Sequence, residues 1–207
     1  ASDPSVMKNT VDLAIKNNVK IGAHPGYPDL QGFGRREMKM SDQEVYDIMI
    51  YQIGALYGFC RTYGAELHHV KPHGSLYGVA HRDEKVAKAI CNATKDFSDN
   101  LCLYIMKHGL ISQIAEDMGI KTVYEVFSDL NYDSDGKLVI TRAHEAHDSS
   151  AVAKRVLRML KDNKVESLDG DDIYIEGNTV CVHGDTPNAI DIVRDIRNKL
   201  TDNGFIV

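Results

Sequence analysis

Residues 20–36 read KIGAHPGYPDLQGFGRR, and the rest of the chain is organised around this stretch. A short apolar segment, residues 19–23, leads directly into His24. The loop that follows contains two prolines, three glycines, one aspartate and two arginines. Because proline fixes φ and glycine permits a positive φ, the backbone itself holds such a loop in shape. A rigid loop with a histidine, a carboxylate and guanidinium groups at the end of a strand is typical of an active site.

The same arrangement occurs at two further places in the chain. Residues 67–70 lead into Lys71, His73 and a glycine, and residues 179–182 lead into His183, a glycine and Asp185. In parallel β/α proteins, the side chains that carry chemistry lie at the carboxyl ends of the strands. We therefore predict that His24, His73 and His183 converge at one rim of a parallel β/α structure.

The order of the predicted elements indicates the fold class. Helical patterns of ten residues or more alternate with short strands that are apolar throughout, as expected when helices cover both faces of a parallel sheet. We predict an α/β fold with parallel strands and outer helices, with a barrel preferred over an open sheet. We expect a loop at residues 71–77. We expect the final helix to start at Thr186 and Pro187, and Asp185 could act as the N-cap of this helix instead of as a site residue. The predicted strands cover residues 19–23, 67–70, 101–106, 122–126, 173–175 and 179–182.

Length and composition limit the classes of function. At 207 residues the chain is predicted to be a single domain, residues 1–207, with a sizeable core. The formal net charge of −6 argues against a nucleic-acid surface. We expect a cytoplasmic protein without a membrane span, since no run approaches about 18 apolar residues and the four cysteines form no C-x-x-C pair.

The histidine-bearing loops permit two chemical interpretations. In the first, His24, His73 and His183 hold a divalent metal ion that activates water. In the second, the histidines transfer protons, while Lys71 and Arg35 hold an anionic group. The sequence contains no G-x-x-x-x-G-K-[ST] or G-x-G-x-x-G pattern, so a nucleotide would be held in another way. The nearby carboxylates available to either site are Asp29, Glu125, Asp129 and Asp185.

Two adjacent histidines, His68 and His69, lie on one predicted strand. Successive side chains of a regular strand point to opposite faces. We therefore predict that at most one of these two rings faces the interior of the barrel.

Five blocks of sequence resemble the LamB/YcsF family at matching order and spacing: residues 21–35, 51–56, 69–74, 125–127 and 181–187. The resemblance implies a distorted (β/α) barrel of the glycoside hydrolase/deacetylase type. It also implies ATP-dependent opening of the 5-oxoproline lactam to L-glutamate, with Mg²⁺ accompanying the ATP. The partners implied are 5-oxoprolinase subunits B and C, and a homo-oligomer is compatible with the same reading.

The resemblance carries site residues over position by position. His24 and Asp29 match the first loop of the family, Lys71 and His73 its second, Glu125 its fourth-strand position, and His183 and Asp185 its last. From these positions we predict catalytic roles for His24, Asp29, His73, His183 and Asp185. We predict substrate or nucleotide binding by Arg35, Lys71 and Glu125. The family normally starts with two strands whose motifs are not found in these 207 residues, so we expect an incomplete barrel.

Two alternatives to the lactam hydrolase stay open. The first is a metal-dependent deacetylase that acts on a carbohydrate or a small amide. The second is a non-catalytic binding subunit, which the expected lack of the leading strands would favour.

Overall fold

The computed structural model describes residues 3–141 and 145–206. The chain forms two compact units, Ala1–Thr122 and Val123–Val207. We call them unit 1 and unit 2. The prediction of a single domain over residues 1–207 stays a prediction.

Unit 1 alternates helices with parallel strands. Strand β1 pairs with β2, and β2 pairs with β3, both in parallel. The described elements, in chain order, are α1 (Pro4–Lys16), β1 (Ile21–Ala23), α2 (Asp42–Thr62), β2 (Leu67–Val70), α3 (Gly74–Ala80), α4 (Glu84–Phe97), β3 (Cys102–Ile105) and α5 (Leu110–Asp117).

Local sequence signals explain where several helices of unit 1 begin. Asp3 caps α1 by accepting hydrogen bonds from the backbone N–H groups of Ser5 and Val6. Ser41 and Glu44 form a capping box at the start of α2. Side-chain caps of this kind each stabilise a helix by about 1 kcal/mol, because they satisfy N–H groups that have no partner within the helix.

The core of unit 1 lies between its strands and its long helices. Helix α2 contacts β1, β2 and α4. Val70 on β2 and Leu103 on β3 are fully buried, as are Met49 and Ile53 on α2. This burial fixes the strands, and therefore the loops that leave their carboxyl ends.

In the residues that the structure describes, unit 2 combines one parallel strand pair with two antiparallel hairpins and two helices. Strand β4 pairs in parallel with β9, while β5 pairs with β6 and β7 with β8 in antiparallel fashion. The elements are β4 (Thr122–Phe127, of which the first residue closes unit 1), β5 (Asn131–Tyr132), β6 (Leu138–Val139), α6 (Ser149–Asp162), β7 (Lys164–Glu166), β8 (Asp172–Tyr174), β9 (Thr179–Cys181) and α7 (Ala189–Asp202).

Helices α6 and α7 pack against each other and form the core of unit 2. Val156 of α6 and Ile192 of α7 are fully buried in this cluster. Val180 and Val182, from β9 and the residue after it, pack against the same cluster. The contact fixes the end of β9, where His183 follows.

The predicted fold class, an α/β fold with parallel strands and outer helices, is confirmed. The structure corrects three details. Residues 74–80 form helix α3 instead of a loop, β7 was not predicted, and α7 begins at Ala189 instead of Thr186. Helix α3 has only seven residues and no side-chain cap, so the usual start signals are missing from its sequence.

In the described part of the chain, no helix combines the length and the apolar composition needed to cross a membrane.

Candidate active site

The histidines that follow β1 and β2 lie next to each other. Nδ1 of His24 donates to the backbone oxygen of Lys71 at 2.7 Å. Nε2 of His24 lies 2.9 Å from Nδ1 of His73, and the two rings meet edge to face. Nε2 of His73 donates to the backbone oxygen of Phe33 at 2.6 Å. The parallel pairing of β1 with β2 explains this contact, because it brings the carboxyl ends of both strands to the same edge.

Two glycines allow the loop after β1 to close over the start of α3. Gly34 has a φ of +67°, and a Cβ atom there would lie 2.8 Å from Cδ2 of His73. Gly74 has a φ of +54°, and a Cβ atom there would lie 2.5 Å from the backbone oxygen of Gly34. The N–H of Ser75 donates to this same oxygen at 3.0 Å. Gly34 and Gly74 are therefore needed for the close approach of the loop backbone to the start of α3.

Asp29 lies in the same loop and is bound by Arg36. Nε of Arg36 donates to both carboxylate oxygens, at 3.1 and 3.0 Å, and Nη2 donates to one of them. The backbone N–H of Gly32 donates to Oδ1 at 2.9 Å. The hydrogen bonds from Arg36 lower the pKa of Asp29 to about 2, although burial acts in the opposite direction. This geometry favours a role for Asp29 in fixing the loop; its catalytic role stays a prediction.

Two cationic residues, Arg35 and Lys71, were predicted to bind an anionic group. Both are half-buried. The guanidinium of Arg35 lies 5.1 Å from the ring centre of Phe33, which in turn contacts His73 edge to face. Guanidinium and ammonium groups are the usual partners of carboxylates and phosphates in proteins. Anion binding by Arg35 and Lys71 stays a prediction.

The prediction that His68 and His69 point to opposite faces is wrong. The register between β1 and β2 shifts at Gly22, so that β2 carries an extra residue there. Nδ1 of His68 lies 3.2 Å from Nδ1 of His69, and both rings contact Tyr104. Burial lowers the pKa of His69 to about 4. A β-bulge removes the alternation on which the prediction depended.

Unit 2 contains the third of the predicted site histidines, His183, which is bound by a buried carboxylate. Nδ1 of His183 donates to Oδ1 of Asp129 at 2.8 Å, and the backbone N–H of His183 donates to Oδ2 at 2.9 Å. The hydroxyl of Thr186 also donates to Oδ2, at 3.0 Å. The Asp129 side chain has no exposed surface, whereas 19% of the His183 side chain is exposed.

The carboxylate of Asp129 stays ionised because of these donors. Burial alone would raise its pKa, but the hydrogen bonds and charge of His183 and the hydroxyl of Thr186 lower it to about 2. An ionised carboxylate accepts the Nδ1 proton of His183 and thereby fixes the tautomer that has its lone pair on Nε2. A histidine held in this way is suited to accept and donate a proton at Nε2.

The other two carboxylates predicted for the site lie in unit 2 as well. Glu125 is on β4 and is only 2% exposed. Asp185 is exposed, two residues after His183. It does not cap α7, because Asn188 occupies the N-cap position of that helix.

Two residues that support the site were not assigned this role from the sequence. Asp129 was counted only as a nearby carboxylate, whereas the structure makes it the partner of His183. Gln52 was not singled out, although it binds both the N–H and the backbone oxygen of Gly26. Its position in the block of residues 51–56, which resembles the family, is the signal that could have identified it.

The geometry of the histidines bears on the metal interpretation. All four ring nitrogens of His24 and His73 have partners within unit 1. Both rings would have to turn before they could bind one metal ion. Among residues 3–141 and 145–206, no group of three or more His, Cys, Asp or Glu side chains is arranged to hold a metal. The present arrangement therefore does not fit a metal centre at these residues.

The structure brings His24, Lys71 and His73 together in unit 1, and His183 and Asp129 together in unit 2. Convergence of His24, His73 and His183 at one rim stays a prediction.

Fold and site together define a class of protein. It is a parallel α/β protein with hydrogen-bonded histidines in the loops that follow its strands, an arrangement typical of enzymes of this fold class. The sequence profile of the LamB/YcsF family matches residues 1–207. The chain belongs to the LamB/YcsF family, and the predicted resemblance is confirmed.

Relatives with assigned names are similar over almost the whole chain. The A subunit of 5-oxoprolinase from Pyrococcus abyssi is 46% identical over 209 residues, which cover 100% of this chain and 82% of that protein. The A subunit of 5-oxoprolinase from Oceanobacillus iheyensis is 43% identical over 209 residues, covering 100% of this chain and 81% of that protein.

The fold also matches a solved structure. The crystal structure of the lactam utilization protein from Thermus thermophilus matches with a TM-score of 0.87 at 41% identity. The match covers 98% of this chain and 81% of that one. This likeness supports the barrel-type fold that the sequence resemblance implied.

Proposed function

We propose that this chain is the A subunit of a 5-oxoprolinase, which hydrolyses the lactam of 5-oxoproline to L-glutamate at the expense of ATP. The names of the relatives at 43–46% identity support a lactam as the substrate. The observation that carries the proposal is the pair formed by His183 and Asp129, because its geometry is that of a proton-transfer group.

The proposed reaction needs ATP because an unstrained amide is a poor electrophile. ATP, bound with Mg²⁺, is a substrate that phosphorylates the lactam oxygen and so turns this oxygen into a leaving group. The residues of unit 1 hold the anionic parts of the substrates. We assign the carboxylate of 5-oxoproline or the phosphates of ATP to Lys71 and Arg35, with Glu125 of unit 2 as a further binding residue.

His183 performs the proton transfer in this proposal. Its Nε2 takes a proton from the water that attacks the carbonyl carbon, while Asp129 stabilises the imidazolium that forms. The same nitrogen then returns the proton to the lactam nitrogen as the carbon–nitrogen bond breaks, which gives the amino group and leaves the former lactam carbon as an acyl phosphate. A second water hydrolyses this acyl phosphate, so that the phosphorylated oxygen leaves as inorganic phosphate and glutamate is formed. Asp185 positions the water. The catalytic roles of His24 and His73 stay predictions.

The word subunit in the names of the relatives supports an assembly with other proteins. We propose that the partners are 5-oxoprolinase subunits B and C. The proposal places no nucleic acid and no membrane among the ligands of this chain.

The experiment is a product assay. The protein is incubated with 5-oxoproline, ATP and Mg²⁺, with and without candidate subunits B and C, and both glutamate and ADP are measured. We expect glutamate and ADP in equal amounts, and no glutamate without ATP. Absence of glutamate under every combination would falsify the proposal.

The same assay separates the alternatives. Amide or acetyl-sugar hydrolysis that needs no ATP and is abolished by a metal chelator would support the metal-dependent deacetylase. Binding of 5-oxoproline without turnover in any mixture would support a non-catalytic binding subunit. The variant His183→Gln should lower the rate of glutamate formation by about 10²–10⁴-fold if His183 transfers the proton.

A further inference from the structure

Arg155 lies on α6 and binds the backbone on both sides of Asp129. Its Nη1 donates to the oxygen of Ser128 at 2.9 Å and, more weakly, to that of Phe127 at 3.4 Å. Its Nη2 donates to the oxygen of Leu130 at 2.9 Å. One guanidinium therefore holds three carbonyls that bracket the carboxylate partner of His183. We propose that Arg155 is a positioning residue, which fixes Asp129 and through it the ring of His183.

The chemistry of the side chain suits this role. A guanidinium is planar, permanently charged and has five N–H donors in a fixed arrangement, so one side chain can satisfy several carbonyls at defined angles. Burial lowers the pKa of Arg155, while Tyr132 and Asp129 act in the opposite direction by favouring its charge. The positive charge of Arg155 therefore attracts the carboxylate of Asp129, although its hydrogen bonds go to the neighbouring carbonyls.

Other contacts hold the same segment. The hydroxyl of Tyr132 accepts a hydrogen bond from the N–H of Phe127 at 2.8 Å, and its ring centre lies 5.7 Å from the guanidinium of Arg155. The N–H and the hydroxyl of Ser128 both donate to the backbone oxygen of Cys181, at 3.1 and 2.8 Å. The two bonds of Ser128 connect this segment to β9, the bond of Tyr132 connects it to β5, and the bonds of Arg155 connect it to α6.

The hydrogen bonds of Asp129 depend on this placement. Its two oxygens accept from the ring of His183, from the backbone of His183 and from Thr186, at 2.8 to 3.0 Å. Hydrogen bonds weaken steeply beyond such distances. A shift of the backbone by about 1 Å would therefore release the His183 ring and allow its other tautomer.

A lysine cannot replace Arg155 in this role. Its ammonium is a compact charge on a flexible stem and lacks the planar set of donors that reaches carbonyls on both sides of Asp129. The proposal therefore predicts that Arg155→Lys keeps the charge but loses the positioning.

The test compares Arg155→Ala and Arg155→Lys with Arg158→Ala in the full chain. Arg158 lies on the same helix, is 41% exposed and pairs with Asp172, so it is a matched control for loss of an arginine. The first readout is the ¹H–¹⁵N NMR signal of the His183 Nδ1–H. We expect both variants at position 155 to lose or shift this signal, and Arg158→Ala to keep it. Added guanidinium ion should restore it in Arg155→Ala.

The second readout is turnover, and its meaning depends on the proposed function. With glutamate formation established, we expect kcat to fall about 10–100-fold in both variants at position 155, with KM changed less than threefold. A lost NMR signal in a protein without lactam hydrolysis would leave the positioning role intact and remove the proposed function. Unchanged kcat and an unchanged NMR signal in folded Arg155→Ala would overturn the positioning role.

If Arg155→Ala does not fold, Arg155→Lys decides the question. A folded lysine variant that keeps the Nδ1–H signal of His183 overturns the proposal, and one that loses the signal supports it.

Discussion

Asp129 is the residue on which the site of unit 2 depends most. Its carboxylate is fully buried and accepts three hydrogen bonds, two from His183 and one from Thr186. A buried carboxylate stays ionised only when it is paired in this way. Without partners it would become protonated, or its charge would destabilise the folded state. The residue that prepares the histidine for chemistry is thus also a residue that stabilises unit 2.

This dual role predicts a specific dependence on pH. The folded-state pKa of Asp129 is about 2, against about 3.9 in an unfolded chain. The ionised carboxylate therefore adds stability above about pH 4, and this contribution is lost as the pH falls towards 2. We expect the free energy of unfolding of Asp129→Asn to be lower than that of the unsubstituted protein at pH 7, with the difference shrinking between pH 4 and 2.

Denaturant unfolding at a series of pH values measures this difference. Asp162→Asn, at the exposed end of α6, is a suitable control. A difference between Asp129→Asn and the unsubstituted protein that stays constant from pH 5 to 2.5 would show that the carboxylate is not stabilised by its donors.

The hydrogen bonds of His24 and His73 predict the number of ring protons. The two backbone oxygens require a proton on Nδ1 of His24 and on Nε2 of His73. The nitrogen–nitrogen contact of 2.9 Å requires a third proton between the rings. We therefore expect the two rings together to hold three ring protons, one of which lies between them.

Nitrogen-15 NMR of the histidine rings at pH 7 counts these protons. The variant His73→Gln assigns the signals, because it removes one ring. Two ring protons over the pair, instead of three, would contradict the hydrogen-bond arrangement described above.

Many residues of the site could be predicted one by one from the sequence, but the contacts between them could not. The order of His24, His73 and His183 after apolar segments was readable, because each follows a strand. The pairing of His183 with Asp129 spans 54 positions and depends on the parallel pairing of β4 with β9. A single sequence carries no signal for such a contact. The bulge at His68 was equally unreadable, since it depends on the register between two strands.

Among the elements, the loop of residues 25–35 and the start of helix α3 form a close backbone contact. The backbone oxygen of Gly34 accepts from Ser75 and faces the α-carbon of Gly74. The helix begins there without any side-chain cap. The oxygen of Gly34 thus accepts a hydrogen bond from the first turn of α3, which a capping side chain would otherwise do. Because this acceptor comes from a distant loop, the sequence of α3 did not predict a helix.

The contact predicts that Gly74 cannot be replaced. In Gly74→Ala the new Cβ atom would lie 2.5 Å from the oxygen of Gly34, at a φ of +54°. We expect a loss of about 1–3 kcal/mol in the free energy of unfolding, because both the backbone conformation and the close approach become strained. Thermal or denaturant unfolding measures this loss.

Gly58→Ala is the matched control for this prediction. Gly58 lies inside α2, and a Cβ atom there would meet no atom within 4 Å. Since alanine favours a helix over glycine, this variant should gain up to about 1 kcal/mol. Equal effects of the two substitutions would show that the contact between Gly74 and Gly34 is not tight.

Helices that begin at a capping residue carry a local signal in the sequence. Asp3, Ser41 and Asp83 each occupy the N-cap position of a helix, as cap preferences favour, and each accepts hydrogen bonds from the first turn. The start of α7 was misplaced by three residues because Thr186, which looks like a cap, uses its hydroxyl to bind Asp129 instead. A residue recruited by the site can thus imitate a local structural signal.

For the whole molecule, the family and the fold class agree. The LamB/YcsF family profile covers residues 1–207, and the solved lactam utilization protein matches with a TM-score of 0.87. Unit 1 contains a hydrogen-bonded pair of histidines, and unit 2 contains a histidine bound by a buried carboxylate. Under the proposed function, proton transfer is the task of the second of these groups.

The most direct measurement is the kcat for glutamate formation from 5-oxoproline and ATP, compared between the unsubstituted protein and Asp129→Asn. Each is assayed with the same partner proteins, and Asp162→Asn serves as the control. We expect kcat to fall about 10²–10⁴-fold in Asp129→Asn, because His183 loses the carboxylate that fixes its tautomer, and to stay unchanged in Asp162→Asn. A folded Asp129→Asn protein that forms glutamate at the unsubstituted rate would contradict the assignment of proton transfer to His183 and Asp129.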